Sequence, residues 1–119
     1  MNRILTVVII LFISGQVFGQ KEISIDSVAG NIGQFVKVCA KVVSTYVTTG
    51  VKPVTYLNLG EPFPESKLRI VIFQTDLPNY SFIPSEHYRD KNICVTGMAA
   101  LYKTNHQMIS KYPDQIEIQ

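Results

Sequence analysis

Hydrophobic and polar residues alternate over long stretches of the chain, with the period of two expected of a strand that buries one face. The run Phe35 to Val47 sets Val36, Val38, Ala40 and Val42 on one side and Lys37, Cys39 and Lys41 on the other, which predicts a long half-buried first strand. Gly50 and Pro53 mark a turn, and Val54 to Gly60 predicts a second strand ending at the proline-rich turn Glu61-Pro-Phe-Pro64. Leu68 to Phe73 predicts a third. Residues 74 to 90 break the pattern with Asp76, Pro78, Asn79 and Pro84, and within them Pro84 to Asp90 predicts a short helix capped by Ser85. Asn92 to Gly97, running on to Tyr102, predicts a fourth strand, Lys103 to His106 a polar turn, and Gln107 to Ser110 a fifth. Five strands with one short helix between the third and fourth is the order of a small closed Greek-key barrel, so the expected class is all-β in one domain.

Residues 1 to 19 stand apart from this alternation. Arg3 is followed by an apolar run of about a dozen residues, shorter than the roughly twenty that span a bilayer, and Gly15 and Gly19 are small enough for a cleavage site. This predicts a secretory signal peptide cut near Gly19 or Gln20, with residues 20 to 119 forming the exported periplasmic or secreted domain. No cysteine lies near the cut to carry a lipid anchor, and no span is expected in the mature chain. The 119 residues hold 11 Lys and Arg against 9 Asp and Glu; losing Arg3 lowers the net charge from +2 to +1. So small a charge excludes a polyanion binder that works through its overall field alone.

Export changes the meaning of Cys39 and Cys94, because an oxidising compartment permits a disulfide where the cytosol would keep two thiols. Two cysteines without C-x-x-C spacing or a histidine at the right offset do not form a zinc site, and no metal or cofactor is expected. A bridge would close a loop of 54 intervening residues, worth about 4 kcal/mol in chain entropy; the alternative is a pair of buried free thiols. Gly33 to Val42 and Asp90 to Ala99 echo one another in polar start, β-branched run and central cysteine. That echo favours a first strand lying beside the fourth, with the cysteines within bridging reach.

The segments Val36-Lys-Val-Cys-Ala-Lys-Val-Val43, Tyr56-Leu-Asn-Leu-Gly-Glu-Pro-Phe-Pro64, Leu68-Arg-Ile-Val-Ile-Phe73 and Tyr88-Arg-Asp-Lys-Asn-Ile-Cys-Val-Thr-Gly97 together resemble the OB-fold, nucleic-acid-binding-like domains of exported bacterial proteins. The resemblance extends over roughly residues 28 to 118. The chain departs from the pattern at Asp90 and Ala40, where glycine is usual, and at Met98, where a basic residue often follows Val-Thr-Gly. The resemblance implies a ligand site across the second and third strands, flanked by the loops between strands one and two and between four and five. Single-stranded nucleic acid, DNA in particular, is the implied ligand, and such a site needs flat rings for stacking and a few cations for phosphates.

The alternation turns Leu57, Leu59, Leu68, Ile70 and Ile72 inward, and Tyr56, Asn58, Arg69, Val71 and Phe73 outward. Tyr56, Arg69 and Phe73 are therefore the expected centre of the platform. Its margins are Tyr46 and Lys52 in the first loop, Lys67 at the start of the third strand, and Tyr102 and Lys103 in the last loop. The third strand is apolar at nearly every position, which also fits burial of Phe73 under the C-terminal segment Tyr112 to Ile118. A reading from another class keeps the same face but gives it a peptide or protein edge, as in an envelope-stress interaction module. A further one makes the chain an accessory domain whose relatives ride on a nuclease.

Catalysis finds no support in the residues. The carboxylates fall at turns and helix positions, no pair is fixed on one face, His87 and His106 are isolated, and Arg69 and Arg89 are the only arginines after Arg3. No active site is assigned and the expected activity is binding. Intact-mass analysis of the exported protein under non-reducing conditions is expected to show both cysteine hydrogens missing; a full complement of free thiols would refute the bridge.

Overall fold

The computed structural model describes residues 21–119, so the signal peptide expected over residues 1 to 19 lies outside the described residues. Eight strands form one mixed sheet: β1 (Lys21–Ile23), β2 (Phe35–Val47), β3 (Val54–Leu59), β4 (Leu68–Phe73), β5 (Asn92–Met98), β6 (Ala100–Tyr102), β7 (Asn105–Ile109) and β8 (Ile116–Ile118). Their hydrogen-bonded order is β6-β7-β4-β3-β2-β5-β8, with β1 lying parallel to β2. The four longest strands are the first four predicted, and the all-β class holds. Helix α1 (Pro84–His87) falls between β4 and β5, where a short helix is expected.

Two features of the predicted barrel are corrected. It has eight strands in place of five, because short segments extend the frame: β1 joins the flank of β2, β8 pairs antiparallel with β5, and the end of the expected fourth strand splits off as β6, which forms a hairpin with β7. The run from Asn92 to Tyr102 is interrupted at the fully buried Ala99, whose N–H donates to the Gln34 carbonyl (2.9 Å) and whose carbonyl accepts from Gly33 (2.7 Å). Nor does backbone pairing close the sheet on itself. The gap between β5 and β7 is bridged by a side chain: Gln115 Nε2 donates to the Thr96 carbonyl on β5 (3.0 Å) and the Ile109 carbonyl on β7 (3.3 Å). Its Oε1 accepts from the backbone of Lys111 (2.7 Å) and Tyr112 (3.2 Å), so both ends of the amide are used. At the same seam Met108 packs on Gly97 so closely that a Cβ there would lie 2.8 Å from the methionine Cγ.

The core follows the alternation. Val36, Val38, Leu57, Leu59, Ile70 and Ile93 are fully buried on the inner face, and Tyr88, just after α1, packs beneath them. Burial pushes the Tyr88 phenol up to about 12, because the phenolate would lose its water there. Ser85 does not cap α1: Ile83 occupies the cap position without a side-chain bond and Pro84 opens the helix, its preset φ doing the work expected of a cap. Asp90, which stands where glycine is usual in the resembling domains, takes the left-handed conformation (φ 63°), one that aspartate tolerates better than most residues.

Cys39 and Cys94 are directly opposed in the antiparallel ladder of β2 and β5, with Cα atoms 3.9 Å apart, and they are joined in a disulfide. The staple lies within the pairing of Phe35 to Lys41 with Asn92 to Met98, next to its central pair Val38 and Val95, so the echo between the two segments reflects real strand partners. The C-terminal segment does not cover β4; it forms a 3-10 turn at Pro113–Gln115 and then pairs with β5.

The seam yields a stability prediction. Gln115→Met, which keeps the chain length and removes the amide, leaves the Thr96 and Ile109 carbonyls without their bridging donor and is expected to cost about 1 to 3 kcal/mol, read as a lowered midpoint in urea with an unchanged slope.

Candidate nucleic-acid interface

A single irregularity in β2 sets the outer face. Val42 pairs with Leu59 while Ser44 pairs with Asn58, so the chain advances two residues on β2 for one on β3, which is a β-bulge at Val43. Strict alternation from Val36 would carry Ser44 and Tyr46 to the inner side with Val42. The bulge instead aligns them with outward-facing Asn58 and Tyr56, giving the cross-strand pairs Ser44 with Asn58 and Tyr46 with Tyr56. On the other flank of β3, Asn58 pairs with Arg69 and Tyr56 with Val71.

These pairings assemble a cleft of about 450 Å³ lined by Ser44, Thr45, Tyr46, Asn58, Phe63 and Arg69. The Arg69 guanidinium lies over the Tyr56 ring, 3.7 Å from its centroid, and over the Phe63 ring at 4.2 Å. A planar cation held by two aromatic faces gains from both ring quadrupoles, and more so as it is drawn out of water. Desolvation accordingly pulls the Arg69 pKa below its usual value, yet a guanidinium remains charged at any physiological pH.

Hydrogen bonds lock the cation in place. Arg69 Nε donates to Asn58 Oδ1 (3.1 Å), and Asn58 Nδ2 donates in turn to Ser44 Oγ (3.0 Å). The direction is fixed, because a guanidinium can only donate, so the amide oxygen must face Arg69 and the amide nitrogen Ser44. Asn58 is 2% exposed, so its outward position on the sheet is sealed by the side chains it bonds. The two terminal nitrogens of Arg69 remain for a ligand.

The residues expected at the site are divided by the fold. Tyr56, Arg69 and Tyr46 come together, Tyr46 from β2 itself and not from the loop where it was expected. Phe73 is exposed at the far end of β4 and shares a separate small cleft with Lys52 and Val54, clear of the C-terminal segment. Lys67 is bound to Asp26, with Nζ 2.7 Å from Oδ1, and this bond raises its pKa. Together they border a third cleft with Phe63, Thr104 and His106. Tyr102 and Lys103 pack on each other in the β6–β7 hairpin, the ammonium 5.6 Å from the ring centroid, and line none of these clefts.

Phe63, Asn58 and Ser44 complete the site without having been singled out as its members. Phe63 carried a signal in the sequence, an aromatic between two prolines whose stiff turn returns it over β4. Phe63-Pro64 is a cis peptide. Among the described residues no cluster of His, Cys, Asp or Glu has the makings of a metal site, and no helix is long and apolar enough to cross a membrane.

No family model matches the chain, and no curated protein matches it. Among solved structures it is similar to a protein described as an aspartyl-tRNA synthetase from Leishmania major Friedlin, at 11% identity and a TM-score of 0.48. The match covers 88% of this chain and 22% of that one, so the chain spans about a fifth of that protein's length.

The Asn58 relay can be checked apart from any ligand. Asn58→Leu removes both bonds from a buried position and is expected to destabilise the fold by about 1 to 3 kcal/mol, whereas Ser44→Ala, at the half-buried end, costs less; thermal unfolding of both variants reads the difference.

Proposed function

We propose that this is an exported, non-enzymatic binding protein built on an open OB-type barrel, and that its outer β2–β3–β4 face holds single-stranded nucleic acid. The reading is carried by the Tyr56–Arg69–Phe63 stack: a fixed cation with free donors, walled by aromatic rings and beside the exposed Tyr46. An unpaired base offers a flat π face to Tyr46 and to the open side of Phe63, while the phosphate beside it meets the guanidinium edge. With a mature charge near neutral, stacking supplies affinity that the overall field does not.

The strand order supports the OB-type assignment. The first long strand pairs with the second and the fourth, the third pairs with the second, and the third runs parallel to the last hairpin, as in a Greek-key barrel of this class. The disulfide is compatible with an oxidising compartment and so with export.

Titration of a single-stranded oligonucleotide at two salt concentrations tests the reading. Binding is expected at low salt and falls as salt rises, because each neutralised phosphate releases counterions. Arg69→Ala and Tyr56→Ala are expected to abolish most of it, and Phe63→Ala to weaken it by about 1 to 3 kcal/mol, the range for one lost stacking partner. An absence of binding at low salt would leave the same face to a peptide or protein edge, whose mostly apolar contact changes little with salt.

A further inference from the structure

Phe63 borders two clefts. In the first it lies under the Arg69 guanidinium, with Tyr46 and Asn58 in the same wall. The second, of about 500 Å³, is the one that Asp26 and Lys67 border, together with Glu65, Thr104 and Asn105. Its walls come from three separate parts of the chain: the 3-10 turn Ile25–Asn31, the loop that leads into β4, and the β6–β7 hairpin. The bond between Lys67 Nζ and Asp26 Oδ1 (2.7 Å) ties the first of these parts to the second. An extended ligand laid across Phe63 therefore meets both clefts.

The two clefts differ in charge. The first has Arg69 and no acid among its six lining residues. In the second, Lys67 is paired with Asp26, and Glu65 makes no ion pair among the described residues. At pH 8, where an imidazole is uncharged, two carboxylates there face one ammonium. Such a balance disfavours a phosphate. It favours an amino group, because an ionised carboxylate can only accept hydrogen bonds. Thr104 and Asn105 add a hydroxyl and an amide, which can donate to the carbonyl and ring nitrogen of the same ligand edge.

We propose that the second cleft is a base pocket of the nucleic-acid site, and that it takes bases bearing an exocyclic amino group, cytosine ahead of thymine. The inference rests on the nucleic-acid reading and adds a sequence preference to it. The phosphate stays at Arg69, the strand crosses Phe63, and the base beyond it turns its amino group to Glu65 or to the second oxygen of Asp26. Cytosine carries an N4 amino donor where thymine carries the O4 acceptor, which a carboxylate repels.

Oligomers of deoxycytidylate and deoxythymidylate of equal length, about ten nucleotides and so within the site size of one such domain, are titrated against the exported protein at low salt and pH 8. The cytosine oligomer is expected to bind at least about fivefold more tightly, the lower end of what one good base contact discriminates. The double variant Asp26→Asn with Glu65→Gln, both at exposed positions, is expected to bring the ratio of the two affinities close to one. The lysine freed by the first substitution strengthens both oligomers alike and cancels in that ratio. Equal affinities or a preference for thymine in the unaltered protein, or an unchanged ratio in the double variant, would overturn the base pocket and leave the Arg69 site standing; the first comparison needs no variant to fold. Failure of the unaltered protein to bind either oligomer at low salt would instead overturn the parent reading, and the pocket with it.

Discussion

The one-residue offset at Val43 is the constraint on which the rest of the molecule turns. β2 spends its first half pairing with β5 and its second half pairing with β3, and the bulge lies where the duty changes. Before it, the inward set is Val36, Val38 and Val42, and the core is built on them. After it, Ser44 and Tyr46 face outward, and the cleft is built on them. A strand that kept strict alternation would bury a tyrosine and a serine at the cost of the site, since a one-residue slip exchanges the two faces of everything beyond it.

This explains which parts of the structure could be read from the residues. The elements were legible wherever period and punctuation agreed: Phe35 to Val47 and Leu68 to Phe73 have the bounds the alternation predicts, and Gly50, Pro53 and Pro84 stand at the breaks. The inward sets of β3 and β4 were legible for the same reason. The pairing of Cys39 with Cys94 followed from two matched mid-strand positions, because strands in register bring equivalent positions together. The bulge was not legible, since Val42, Val43 and Ser44 carry no glycine or proline to mark it.

The candidate site was legible in its centre and not in its margins. Tyr56 and Arg69 sit on adjacent strands with outward parity, and parity alone brings them to one face. Phe73 shares that parity but lies four residues from Arg69 along β4, too far to join a cleft at the other end. Lys67 is a lesson in competition: its proximity to the site is real, but Asp26, from a distant part of the chain, takes its charge. Asn58 reverses the usual reading of an outward polar residue, because its neighbours seal it and make it the rigid link between an arginine and a serine.

The seam between β5 and β7 gives the sheet a direction of failure. Most of the wall is held by ladders of backbone bonds that must break together, but this gap depends on the amide of Gln115, near the end of the chain. Thermal fluctuations favour the cheapest opening. The C-terminal segment that carries Gln115 is therefore the latch of this gap, fastened beside a strand pair that is itself stapled through sulfur.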